Sequence, residues 1–177
     1  VTKDVLARGY RNIAYMADPP IYRPGCDRLR GFRDACKEFG VTVPQENIFL
    51  APIEDTKPLN AFLHDVARRD VPPKAIINFV RGWDYTMLQA LHSAGLRVPE
   101  DYSVCGFDNI FTSSIITPPL TSIDHRLWAR CRSAVDQIVK QNDQGHGADK
   151  SAVMADKIEY APQLMIRKST GPARTSD

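Results

Sequence analysis

The stretch Ala75–Phe107, AIINFVRGWDYTMLQALHSAGLRVPEDYSVCGF, decides the fold. It opens with a short apolar run, Ala75–Phe79, of the kind that forms a fully buried strand. Asp84 is predicted to cap a helix that ends at Gly95. The apolar positions at helical spacing are Met87, Leu88, Leu91 and Ala94. A second apolar run, Tyr102–Phe107, follows, so the stretch predicts a strand, a helix and a second strand, which is the repeating unit of a parallel sheet.

The same alternation of apolar runs and helical patterns continues on both sides of this stretch. Further strands are predicted at Asn12–Ala17, Asn47–Ala51, Thr121–Ile123 and Leu164–Ile166. Helical stripes are formed by Leu29, Phe32, Ala35, Cys36 and Phe39 before Gly40, by Leu59, Phe62, Leu63, Val66 and Ala67 after the predicted cap Thr56, and by Leu127, Cys131, Ala134, Val135 and Ile138 after Asp124. The pattern predicts an α/β fold, a Rossmann-like parallel sheet with helices on both faces.

Composition excludes several classes of protein. The chain has 177 residues, of which 43% are hydrophobic and 25% charged, as is typical of a soluble globular domain. No apolar run approaches the roughly 18 residues that span a bilayer, and no export signal is present, so we expect a cytoplasmic protein without membrane contact. The four cysteines form no CxxC pair, which favours reduced thiols over a metal site or disulfide. The net charge is only +2, and the lysine and arginine residues are spread along the chain rather than clustered, so nothing here predicts direct nucleic-acid binding.

Candidate binding residues follow the predicted strands. Ligands of open parallel sheets bind beyond the carboxyl ends of the strands. The residues predicted to lie at this edge are Tyr22, Arg23 and Arg28 after the first strand, Glu54 and Asp55 after the second, Arg81, Trp83 and Asp84 after the third, and Asp108 and Asn109 after the fourth. Arginine, aspartate and an aromatic face together suit a sugar or a similar polar ligand. The alternative is that Arg28 pairs with a neighbouring acid, Asp108 caps a turn and Trp83 packs in the core.

Motifs for catalysis are missing from the sequence. It contains no GxSxG elbow, no phosphate-binding GxxxxGK[ST] loop, no HExxH and no GxGxxG after the first strand. His125 beside Asp124 is the one histidine that could be argued as a base, and a helix-capping aspartate next to an exposed histidine explains the pair equally well. We predict no enzyme activity, no catalytic residue, no metal and no cofactor.

Five short sequence blocks follow one another between residues 9 and 170: GYRNIAYMA, RLRGF, GLRVPEDYSVCGFDN, TPPLTSI and LMIRKST. They resemble the blocks G-H-R-x-I-A, R-x-x-G-F, G-x-x-V-P-x-D-x-S-V-x-G-F-D, P-P-L-T-T-I and L-x-x-R-x-S-T of the lactose-repressor and galactose-repressor family of transcription regulators. The resemblance implies a periplasmic-binding-protein-like fold of type I, with an effector between two Rossmann-like lobes, and a homodimer. It also implies that Arg28 grips the effector and that Asp108 hydrogen-bonds it.

The resemblance predicts the domain organisation. The first residues look like the end of a helix capped by Gly9, so we expect a fragment of an effector-binding domain, 1–177. About 11–123 would form the C-terminal lobe, 1–10 and about 124–160 would belong to an incomplete N-terminal lobe, 161–170 would be a closing strand and 171–177 a tail. The helix-turn-helix that reads operator DNA in the family would precede this chain. Such a fragment is expected to bind effector weakly or not at all.

The sequence departs from the family pattern after the third strand. Family members usually have an Asn-Asp pair there that contacts the effector, whereas Val80 and Arg81 occupy these positions. An anionic or phosphorylated ligand that pairs with Arg81 is therefore an alternative to a simple lactose-like effector. We expect the ligand-sensing, dimerising part of a transcription regulator whose effector is a sugar, sugar phosphate or sugar acid. The alternative is a periplasmic sugar-binding protein of a transport system.

Overall fold

The structure is a computed structural model that describes residues 1–52, 57–80, 82–143 and 158–173. Its helices are α1 (Thr2–Ala7), α2 (Arg23–Glu38), α3 (Lys57–Ala67), α4 (Trp83–Ser93), α5 (Thr112–Ile115) and α6 (Leu127–Asp143), with one 3₁₀ turn at Gln45–Asn47. Its strands are β1 (Ile13–Ala17), β2 (Ile48–Leu50), β3 (Ala75–Asn78), β4 (Ser103–Gly106), β5 (Thr121–Asp124) and β6 (Gln163–Met165). None of the helices in these ranges is both long and apolar enough to cross a membrane.

The strands form one sheet in the order β2-β1-β3-β4-β5-β6. The pairs β1–β2, β1–β3, β3–β4 and β4–β5 are parallel. The predicted α/β class, with helices packed against a largely parallel sheet, is therefore confirmed. Because the first four strands in this order run the same way, their carboxyl ends lie along one edge, where the loops that carry the candidate residues begin.

The sheet is buried on both faces, which explains its continuous apolar runs. All five residues of β1 and all four of β3 are buried. Alternate strand residues enter two separate clusters. One cluster includes Met16, Ile76 and Val104 with side chains of α3 and α4, and the other includes Tyr15, Ile77 and Cys105 with side chains of α1 and α2.

Two predicted helix starts differ in the structure. Asp84 is not the N-cap of α4, since the helix begins at Trp83 after Gly82, which has φ 81°. Glycine adopts this left-handed conformation without a steric penalty, and Asp84 moves into the first turn, where it is buried. Asp124 lies at the end of β5, and its Oδ1 accepts a hydrogen bond from the backbone N–H of Arg126 at 2.6 Å. The predicted cap Thr56 lies outside the described residues.

The chain divides into two compact units, Val1–Ile123 with Leu164–Asp177, and Asp124–Gln163. Helix α1 packs against α2 in the first unit, where Val5 and Leu6 join the buried core. Residues 1–10 therefore contribute to the core of the first unit, although the sequence assigned them to a second lobe. In the second unit, no described residue between 124 and 142 is buried. The predicted inner face of α6 is exposed, because its apolar side chains have no core to enter within the described residues of that unit.

Candidate functional site

Arg28 lies in the second turn of α2, beyond the carboxyl end of β1. Its guanidinium carbon is 4.1 Å from the centroid of the Phe107 ring, and its Nη1 donates a hydrogen bond to the carbonyl oxygen of Phe79 at 3.3 Å. The first acid before it in the chain, Asp27, instead pairs with Arg30 at 2.7 Å. Arg28 therefore reaches across the sheet edge to the residues that follow β3 and β4. This placement brings it next to the loop that carries Asp108.

The ring of Phe107, which contacts Arg28, belongs to a cluster of packed aromatic side chains. The Tyr15 ring lies 4.6 Å from Phe32 and 5.2 Å from Phe79, and Phe79 lies 5.0 Å from Phe107. The Tyr15 hydroxyl is buried and has no hydrogen-bond partner within the described residues. Burial raises the pKa of this hydroxyl to about 12, against the opposing effect of the Arg28 and Arg33 charges. The wall under Arg28 is therefore apolar and neutral, which favours a ligand with a nonpolar ring face.

Asp108 and Asn109 follow β4 in a left-handed turn, with φ of 74° and 43°. Aspartate and asparagine tolerate this conformation better than other non-glycine residues. The backbone N–H of Asn109 donates to Ser122 Oγ at 3.1 Å, and the side-chain Oδ1 of Asn109 accepts from Arg167 Nη2 at 2.6 Å. Arg167 also donates from Nη1 to the carbonyl oxygen of Leu120 at 2.6 Å. The amide oxygen of Asn109 is thus engaged in holding the loop, while Asp108 lies half-buried at the same edge as Arg28.

The other predicted contact residues have different surroundings. Trp83 is only 2% exposed and lies 5.9 Å from Phe49 within the core. This environment agrees with the alternative that Trp83 packs as a core residue, because little of its ring is accessible to a ligand. Tyr22 and Arg23 are exposed at the start of α2. Glu54, Asp55 and Arg81 lie outside the described residues, so their roles stay predictions.

The sequence did not identify Asn78 and Asp84 as a pair. Asn78 is fully buried at the end of β3, and its Nδ2 donates to Asp84 Oδ1 at 2.6 Å and to the carbonyl oxygen of Val80 at 3.0 Å. Burial raises the pKa of Asp84 to about 6, the Asn78 hydrogen bond opposes this shift, and the charge of Asp108 adds to it. A signal was present, since an amide in an otherwise apolar strand must find a hydrogen-bond partner. The partner is six residues away on the next helix.

The structure thus brings together Arg28, Phe79, Phe107 and Asp108, which we call the crevice cluster. A guanidinium offers several N–H donors in a planar fork, and a carboxylate offers acceptors only. Together with the aromatic rings of Phe79 and Phe107, these groups suit a small ligand that has both acceptor and donor groups around a ring. Asn78 ends β3 directly before Phe79, and Asp84 lies in the first turn of α4, where the charge of Asp108 acts on it.

The family model of the periplasmic binding protein-like domain matches residues 2–170. Among curated proteins, the chain is 29% identical over 170 residues to the transcriptional repressor PurR of Glaesserella parasuis serovar 5, with 95% of this chain and 49% of the repressor covered. It is 27% identical over 168 residues to the ribose operon repressor of Escherichia coli K12, with 95% and 49% covered. The chain therefore spans about half the length of these relatives. Both relatives are named as repressors rather than as enzymes.

Solved structures show the same fold. A transcriptional regulator LacI from Bacillus cereus subsp. cytotoxis superimposes with a TM-score of 0.81 at 22% identity, covering 98% of this chain and 59% of the regulator. A LacI family regulator from Enterococcus faecium with bound ribose gives a TM-score of 0.77 at 19% identity, with 98% and 61% covered. These likenesses agree with the sheet and helices described above.

Proposed function

Because this chain belongs to the family of periplasmic binding protein-like domains, we propose that it is the effector-binding and dimerising part of a DNA-binding transcription regulator. The effector is a sugar or a related small polar molecule. The whole protein is a homodimer and contacts operator DNA through a helix-turn-helix that is not in this sequence. The names of the relatives support this proposal, since they include a PurR repressor and a ribose operon repressor.

The observation that carries the proposal is the position of Arg28. Its guanidinium lies 4.1 Å from the Phe107 ring, and Asp108 is the next residue along the chain. In the bound state Arg28 donates to ring or hydroxyl oxygens of the effector, Asp108 accepts from its hydroxyl groups, and Phe107 contacts its apolar face. A ligand bound in this way stabilises one closure of the two lobes over the others, which changes the distance between two DNA-reading heads.

The test uses the full-length protein and the substitutions Arg28→Ala and Asp108→Ala. Operator binding is measured by fluorescence anisotropy with and without a panel of sugars, sugar phosphates and sugar acids. We expect both variants to bind operator as the wild type does and to lose the response to the effector that shifts the wild type. Each substitution removes hydrogen bonds to the ligand and leaves the DNA-reading part unchanged.

The matched control is Arg30→Ala on the same helix. Arg30 is exposed and pairs with Asp27 at 2.7 Å, so its loss should leave the response to effector intact. An unchanged response in both Arg28→Ala and Asp108→Ala would refute the site assignment. Absence of operator binding by the full-length wild type would refute the proposal that the protein is a DNA-binding regulator.

A further inference from the structure

A second carboxyl group, that of Asp84, lies against the strand that leads to Asp108 and has no part in the proposed binding contacts. Asp84, in the first turn of α4, is only 5% exposed. Acidic side chains are seldom buried without a charged partner, because removal from water disfavours the ionised form. The described partner of Asp84 is neutral, the Nδ2 amide of Asn78 at 2.6 Å. The chain therefore retains a buried carboxyl group whose ionisation is not balanced by this hydrogen-bond partner.

Asp84 lies directly against the strand that leads to Asp108. Gly106 is the last residue of β4, and a Cβ atom placed on it would lie 2.8 Å from Asp84 Oδ1 and would overlap the Leu120 side chain. The absence of a side chain at Gly106 is what lets the carboxyl group approach the backbone so closely. Only Phe107 separates Gly106 from Asp108. A change in the charge of Asp84 therefore acts on the backbone that carries the ligand-binding aspartate.

The groups that face Asp84 come from three directions. Strand β3 presents the neutral amide of Asn78, β4 presents the backbone of Gly106, and the turn after β4 presents Asp108. Within the described ranges, Asp108 is the charged group found to act on Asp84, and it disfavours a second negative charge. The first turn of a helix favours a carboxylate, but burial outweighs this effect and raises the pKa of Asp84 to about 6.

We propose that Asp84 is a positioning residue for Asp108, and that proton uptake by its buried carboxyl group changes the electrostatic environment in which Asp108 meets the ligand. This inference rests on the proposed function. In neutral solution two carboxylates act at this end of the crevice cluster and favour ligand groups that donate hydrogen bonds or carry positive charge. In mildly acidic solution Asp84 is neutral, and this preference weakens. Carboxylate or phosphate groups of a ligand are expected to lie toward Arg28, away from this end.

The first experiment needs no ligand. Trp83 is buried and adjacent in sequence to Asp84, so its fluorescence is a probe of that carboxyl group. In the full-length protein we expect a fluorescence transition near pH 6 that is absent from Asp84→Asn and from Trp83→Phe. Asp108→Asn should lower its midpoint by about 0.5 pH unit or more, because a neighbouring negative charge is removed. Asp101→Asn, at an exposed ion pair with Arg97, should leave the midpoint unchanged.

The second experiment measures D-ribose binding by calorimetry at pH 5.5 and 7.5. We expect the wild-type affinity to change on the order of threefold between these pH values and that of Asp84→Asn to change less. A fluorescence midpoint near pH 4, or one that Asp108→Asn does not move, would overturn the proposal, and this result does not require the Asp84 variant to fold. If the coupled transition is present and D-ribose does not bind, the coupling stands and D-ribose is excluded as the effector.

Discussion

The buried carboxyl group of Asp84 makes stability depend on pH in an unusual direction. Its pKa is raised from 3.8 to about 6 in the folded protein, so the folded state holds this proton more tightly than the unfolded chain does. The stabilising contribution is fully present below about pH 4 and is lost as the pH rises through 6. A shift of about two units corresponds to about 2–3 kcal/mol of unfolding free energy.

Asp84→Asn keeps the shape of the side chain and removes its ionisation. We expect its unfolding free energy, relative to that of the wild type, to rise by about 2–3 kcal/mol between pH 4 and pH 7.5. Urea denaturation at the two pH values measures this difference. Asp101→Asn is the control, since the Asp101 carboxylate is hydrogen-bonded to Arg97 at 3.0 Å and its loss offers no such gain at neutral pH. A difference between Asp84→Asn and the wild type that is independent of pH would contradict the prediction.

The segment after β6 joins two strands of the sheet through one buried hydroxyl group. Ser169 Oγ donates to the carbonyl oxygen of Val104 at 2.6 Å and accepts from the backbone N–H of Thr121 at 2.8 Å. Ser169→Ala would leave both backbone groups without this partner in the core. We expect it to cost about 2–4 kcal/mol of unfolding free energy in chemical denaturation. Ser114→Ala, which removes an exposed hydroxyl bonded to the Phe111 carbonyl, should cost less than about 1 kcal/mol, and equal costs would show that burial does not decide the effect.

The strands were predictable because burial on both faces leaves a continuous apolar run. β1 and β3 lie within the predicted Asn12–Ala17 and Ala75–Phe79. The start of α4 was not predictable in the same way, because Asp84 satisfies the preference for an N-cap and yet serves as a buried partner of Asn78. That choice depends on contacts between β3, α4 and β4, which the local pattern does not contain.

The candidate site was predictable only as far as the loop in which each residue lies. Arg28 and Asp108 were selected by their position after strands, and the structure places both at the carboxyl edge of the sheet. Trp83 follows a strand as well, but its side chain turns into the core beside Phe49. Position along the chain predicts which loop a residue belongs to, whereas the direction of its side chain depends on packing. The helical stripe of α6 likewise predicted a helix correctly, whereas the side chains of its predicted inner face are exposed in the described residues of this chain.

The exposed apolar face of α6 is explained if the whole protein extends beyond this chain. The chain spans about half of each curated relative, and we propose that about 124–160 belongs to a lobe completed by other parts of the whole protein. Several large apolar side chains of α6 are exposed, among them Trp128 at 90% and Ile138 at 65%. A stripe of this kind is expected to pack against another element in the complete protein.

Two isoleucine substitutions compare the buried core of the first unit with the exposed face of α6 in the second unit. Ile77 is fully buried in β3, so Ile77→Ala should cost about 2–5 kcal/mol of unfolding free energy. Ile138→Ala should cost less than about 0.5 kcal/mol in the 177-residue chain, because its side chain is 65% exposed there. In the full-length protein the same Ile138 substitution should cost about 1 kcal/mol or more, since the proposed lobe would cover that face of α6. Chemical denaturation of both proteins measures the difference, and an equally small cost in both would show that the apolar face of α6 stays uncovered and that the proposed lobe does not form on it.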